Sequence, residues 1–127
     1  MKKLTLVVGL ALVLACALGI YAQSPPRVFM LVTARVEPGH MAEYRSIVEN
    51  EVLPIFAKHD VAVIGAFNSQ LGASSNEMLL LVGYRDLAHI QATNSDPALV
   101  KLQAEKFEAM RVLETRVLIP TSFSPLK

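Results

Sequence analysis

The chain begins with two positive residues, Lys2 and Lys3, and then runs apolar from Leu4 to Ile20 with Thr5 as the sole interruption. A polar stretch, Gln23-Ser24-Pro25-Pro26, separates this leader from a chain whose apolar positions fall into short blocks of changing period. Val28 to Val36 is apolar and β-branched, which predicts a strand. Pro38-Gly39 turns the chain. Met41, Tyr44, Ile47, Val48, Val52, Ile55 and Phe56 then recur at three- and four-residue spacing, so a helix is expected over residues 40–58. Pro54 lacks a backbone donor and its ring clashes with the turn before it, which places a kink or a change of helix near Leu53.

Val61 to Phe67 reads as a second strand and Glu77 to Tyr84 as a third, joined by the Ser-, Gly- and Asn-rich hairpin loop Asn68 to Asn76. Asp86 is placed to cap a short helix over Leu87 to Thr93. Asp96-Pro97 is a stronger start signal, a capping carboxylate followed by proline at the first helical position, and that helix is expected to reach Met110. A last strand over Val112 to Ile119 closes the domain. The order β-α-β-β-α-β predicts an α+β, ferredoxin-like fold over residues 28–127, with two helices on one face of a four-stranded antiparallel sheet.

A sheet with one wet face alternates apolar and polar residues, and this one largely does not. Val28, Met30, Val32 and Ala34 share one face of the first strand, yet Phe29 and Leu31 occupy the other, and Met78 to Val82 and Val61 to Phe67 are apolar on both. Four strands of ordinary length leave an open face of roughly 300 Å² in projection. Covering it is worth on the order of 10 kcal/mol per subunit pair before association costs. An apolar surface of that size marks an interface, and a second copy packing sheet to sheet is its simplest cover. A homodimer is the expected state.

The leader has the three parts of a secretory signal peptide: a positive start, an apolar centre, and a small residue, Ala22, at a cleavage position. Residues 1–22 are therefore read as a signal peptide and 23–27 as a linker, so the domain is expected to be exported, periplasmic or secreted. A retained anchor is the competing reading, because about seventeen apolar residues lie at the lower limit for a membrane span. Val13-Leu14-Ala15-Cys16 also partly resembles a bacterial lipobox, although Leu14 is bulky where a small residue is usual. A membrane partner is expected only if the leader is retained or lipidated.

Cys16 is the one cysteine, so a chain cut after Ala22 has neither disulfides nor thiol catalysis. The chain has 12 cationic and 11 acidic residues; removing Lys2 and Lys3 leaves 10 against 11, a formal charge of −1. No basic run survives, which argues against a nucleic-acid partner. His40, His59 and His89 have no metal-ligand spacing, so no metal is expected. Ser69, Ser74 and Ser75 are loop serines without a strand-turn-helix elbow. Arg35, Arg85 and Arg116 stand singly at strand ends.

Glu37-Pro38-Gly39-His40-Met41-Ala42-Glu43-Tyr44, Val52-Leu53-Pro54-Ile55-Phe56-Ala57-Lys58-His59, Val63-Ile64-Gly65-Ala66-Phe67, Tyr84-Arg85-Asp86-Leu87-Ala88, Asp96-Pro97 and Pro120 to Leu126 form an ordered set of short motifs. On these the chain resembles the NIPSNAP-domain proteins, a branch of the dimeric α/β-barrel superfamily, over about Val28 to Leu126. The resemblance implies a dimeric α/β barrel, and for bacterial members it brings no assigned reaction. Met30 and Val32 stand where the family commonly carries an acidic and a basic residue, and the chain has no Trp. That absence argues against the haem-degrading chemistry of some superfamily members, which uses a Trp, His and Asn set. The superfamily also contains cofactor-independent monooxygenases that act on aromatic or quinone-like substrates between sheet and helices, and Tyr44, Phe67, Asn68, Tyr84 and His89 are the residues expected to reach such a cleft. The leading expectation is a domain that binds a partner or a small apolar ligand with no cofactor; an oxygenase-like enzyme is the alternative.

Overall fold

A computed structural model describes residues 26–69 and 76–126. The leader, Cys16, and most of the Asn68–Asn76 loop, with Ser74 and Ser75, lie outside the described residues. The elements in chain order are β1 (Val28–Val36), α1 (Met41–Ile47), a π turn (Val48–Val52), α2 (Leu53–Lys58), β2 (Ala62–Asn68), β3 (Glu77–Tyr84), α3 (Leu87–Asn94), α4 (Pro97–Leu102), a second π turn (Gln103–Phe107) and β4 (Arg111–Leu118). The four strands form one sheet in the order β2-β3-β1-β4, every neighbour antiparallel.

The interruption expected near Leu53 takes the form of the first π turn, where the Leu53 N–H bonds back five residues to the Val48 carbonyl. This wider turn carries the chain past Pro54, which has no N–H to give and whose ring would strike an α-helical turn before it. The second π turn modifies the unbroken helix expected up to Met110: the Glu108 N–H reaches the Gln103 carbonyl at 3.0 Å. Its wide winding brings Gln103 and Phe107 to one side, where both touch Arg111. Two left-handed residues end the turns flanking the first helical run. Gly39 (φ 88°) suits the role because it has no Cβ, and Asp60 (φ 56°) is one of the few residue types that tolerates it.

Alternation along the strands sorts the core. Met30, Ala34 and Val36 of β1 and Met78, Leu80, Val82 and Tyr84 of β3 are all buried on the helix side, against Tyr44, Ile47, Val48, Val52, Phe56, Leu102 and Phe107. The opposite face is open. Leu31, Leu79 and Leu81 are half-buried there, and the Phe67 ring, 56% exposed, folds back over Gly65. Gly83 has a similar purpose: a Cβ there would meet Pro26 at 2.7 Å and the Phe29 ring at 3.3 Å. The apolar patch is narrower than the sequence implies, because Glu114 and Arg116 pair with each other at 2.7 Å on β4.

Polar groups cap the helices and tie them to one another. Asp86 caps α3 by accepting from the His89 N–H at 2.8 Å. Asp96 caps α4 by accepting from the Ala98 N–H at 2.8 Å, and its other oxygen accepts from His59 Nε2 at 2.7 Å and Lys58 Nζ at 3.0 Å. The His59 ring therefore bonds a distant carboxylate, while its backbone N–H closes its own helix end on the Ile55 and Phe56 carbonyls. The His59 and Lys58 hydrogen bonds hold the Asp96 carboxyl well below its ordinary value of 3.8. A depressed folded-state value contributes stability above the unfolded value and loses it as pH falls through the folded one. Asp96→Asn is accordingly expected to lower the urea midpoint at pH 6, with the gap to wild type closing progressively below about pH 4. A gap independent of pH from 6 to 2 would contradict this account.

Candidate functional site

The helix-facing side of the sheet is not filled. A cavity of about 580 Å³ lies between it and the helical layer, walled by Met30 and Val32 of β1, Met78 and Leu80 of β3, and Val48 and Val52 of the first π turn. Gln103, Ala104 and Phe107 of the second π turn line it too, so both wide turns face the same space. A volume of this size and a mostly apolar wall with a few polar groups are the ordinary properties of a small-molecule site.

The polar groups gather around Arg111, the first residue of β4. Its Nη1 donates to the Tyr44 hydroxyl at 2.6 Å and its Nη2 to Gln103 Oε1 at 2.8 Å. The guanidinium carbon sits 3.9 Å from the Phe107 ring centre and 5.3 Å from that of Tyr44, and the two rings pack tilted at 5.4 Å. Burial raises the Tyr44 phenol above its ordinary value, while the Arg111 charge and hydrogen bond pull the other way. Tyr84 also lines the cavity, and burial pushes its phenol up to about 12. Both tyrosines are neutral hydrogen-bonding groups at neutral pH. Among the described residues, no group hydrogen-bonds the Tyr84 hydroxyl.

The residues singled out from the sequence separate into three places. Tyr44 and Tyr84 reach the cavity. Phe67 lies on the open face of the sheet, and Asn68 is exposed at the end of the edge strand β2; neither lines the cavity. His89 is buried beside Tyr84 but outside the lining, and both ring nitrogens are taken by the backbone. Nδ1 accepts from the Arg85 N–H at 3.1 Å, which leaves the proton on Nε2 to be donated to the His59 carbonyl. Its ring therefore clamps the start of α3 to the end of α2.

Arg111, Gln103 and Phe107 were not among the residues singled out, although one signal was available. Arg111, Leu113, Thr115 and Val117 fall at alternate positions of the last strand, so an inward-facing cation was legible in its phase. Among the described residues no cluster of three His, Cys, Asp or Glu side chains could hold a metal ion, and no helix is long and apolar enough to cross a membrane.

The fold recurs in solved structures. A NIPSNAP family protein from Agrobacterium tumefaciens is 25% identical with a TM-score of 0.67, the match covering 79% of this chain and 98% of that one. An uncharacterised NIPSNAP domain protein from Burkholderia xenovorans is 21% identical with a TM-score of 0.64, covering 77% and 98%. SnoaB, a cofactor-independent oxygenase from Streptomyces nogalater, shares the fold at 15% identity and a TM-score of 0.61, covering 79% and 98%. No curated protein matches the sequence. The NIPSNAP family model matches residues 29–125, nearly the whole domain, and the chain belongs to the NIPSNAP family.

Proposed function

We propose that this NIPSNAP domain acts outside the cytoplasm as a homodimer that binds a small apolar molecule between its sheet and its helices. The observation that carries the reading is the cavity itself: about 580 Å³ of mostly apolar space, with neutral tyrosine hydroxyls and one guanidinium available to orient a ligand. Two methionines in its wall, Met30 and Met78, are adaptable side chains suited to ligands of imperfect fit.

The second reading, an oxygenase acting on a small aromatic or quinone-like substrate, draws on the fold shared with the Streptomyces nogalater enzyme. The lining favours binding over that chemistry. Removing a substrate proton calls for a base, and the lining supplies no histidine for that role; its one carboxylate is Glu108.

Val32→Phe projects a ring into the space from the central strand β1. The substitution is expected to weaken binding of 1-naphthol, followed by its fluorescence, about tenfold or more, while the thermal transition stays cooperative. Unchanged affinity would remove the cavity from consideration. In air, the binding protein returns 1-naphthol unaltered; oxidised product formed at more than the buffer rate would establish the enzyme reading instead.

A further inference from the structure

We infer that the natural ligand is an apolar monocarboxylate, its charged end seated at Arg111 and its apolar body lying along the β1–β3 wall. The inference rests on the binding reading above and adds the chemical class of the ligand.

Charge balance in the cavity is the first argument. Arg111 is half-buried, and its guanidinium carries five N–H donors. One goes to Tyr44 and one to Gln103, both neutral acceptors, while Nε is buried with no partner. Arg35 and Arg116 have carboxylate partners in Glu77 and Glu114. Arg111 has none among the described residues, and the Phe107 and Tyr44 rings that flank it offer quadrupoles but no net charge. A guanidinium does not lose its proton at any relevant pH, and the neutral acceptors and aromatic faces around it compensate its partial removal from water only in part, which leaves it suited to an anion brought from outside. Tyr44 and Gln103 fix the head group in place and leave further N–H donors for that anion, the pre-organisation that makes arginine a good carboxylate receptor.

The shape and remaining polarity of the site then restrict the rest of the molecule. Arg111 pairs with Val36 and Tyr84 with Val28, so the two lie at opposite ends of β1. Eight residues of strand separate those positions, a span of about 26 Å. Between them the wall is Met30, Val32, Met78 and Leu80. An elongated apolar body fits, either an acyl chain or fused rings, and the Tyr84 hydroxyl, which no described group hydrogen-bonds, can bond a carbonyl or hydroxyl at its far end. Among the described residues the lining holds one cation and one acid, Glu108, which favours a single negative charge over two.

Isothermal titration of the full-length mature protein with dodecanoate and 2-naphthoate, and with the methyl ester of each, tests the inference. At least one acid is expected to bind about tenfold or more tightly than its ester, the scale of a charge-assisted hydrogen bond. Arg111→Met, which keeps a long side chain over Phe107, should erase the difference between acid and ester; Arg111→Lys should keep part of it. Preference confined to dodecanoate identifies an acyl ligand, and preference confined to 2-naphthoate an aromatic one. Equal binding of acid and ester, or a preference that survives Arg111→Met, overturns the inference while the cavity remains a binding site. Failure of both acids and both esters to bind overturns the inference and the binding reading together.

Discussion

Replacing Leu81 with lysine is expected to halve the mass of the protein in solution, from two chains to one. Leu81 lies on the central strand β3, on the sheet face away from the helices, with Leu31 beside it on β1 and Gly65 on β2. Leu79 continues the same face along β3, and the exposed Phe67 ring borders it. A second copy seated on this patch would remove several leucine side chains and a phenylalanine from water, each worth about 1.5–3 kcal/mol when fully buried. A lysine at position 81 would put two unpaired ammonium groups into that interface, and the cost of desolvating an unpaired charge is several kcal/mol per ion. Because Leu81 is outside the core between sheet and helices, the monomer should keep its fold. Native mass spectrometry of the protein produced in a host that processes signal peptides reads both parts: the wild type is expected as two copies, each beginning at Gln23, and the variant as one. Leu87→Lys, on an exposed position of α3, should leave the dimer intact and serves as the control. A wild-type monomer, or a Leu81→Lys dimer, would discard sheet-to-sheet association.

How far the sequence could be read depended on the distance between the groups involved. β1 and β3 were legible to the residue because strand signals are local: β-branched and apolar runs bounded by turns. The caps Asp86 and Asp96 were legible for the same reason, each acting within three residues of itself. The polar centre was not. Arg111 meets Tyr44 across 67 residues of chain, and His59 meets Asp96 across 37; no periodicity reports such pairings. Phe67 shows how a small irregularity redirects a side chain. The β2–β3 register shifts between Val63 and Gly65, and a shift of one residue exchanges the faces of everything beyond it. Phe67 is carried to the open face, where it serves the proposed interface instead of the cavity. His89 was expected in the cleft through the superfamily resemblance, but its partners are backbone groups at Arg85 and His59, which sequence alone does not place beside it.

Phe107→Ala should be the most destabilising single change at the site, costing about 3–5 kcal/mol. The ring is 1% exposed, packs against Tyr44 and forms the floor under the Arg111 guanidinium. Truncation opens a void next to a cavity that already exists, so the surroundings have little reason to collapse into it, and the full cavity cost is retained. It also strips a half-buried cation of the aromatic face that partly compensates it. Phe107→Leu keeps most of the volume and should cost less. Phe123, 86% exposed in the tail, supplies the contrast: Phe123→Ala should stay within about 0.5 kcal/mol of wild type. Association would add a concentration-dependent contribution to any unfolding midpoint, so these comparisons belong in the Leu81→Lys background at one fixed concentration. Urea curves with equal slopes and a midpoint shift confined to Phe107→Ala would locate the effect in the folded monomer. A cost below about 1 kcal/mol would mean that the ring does not hold Arg111, and that the head-group site is assembled by Tyr44 and Gln103 alone.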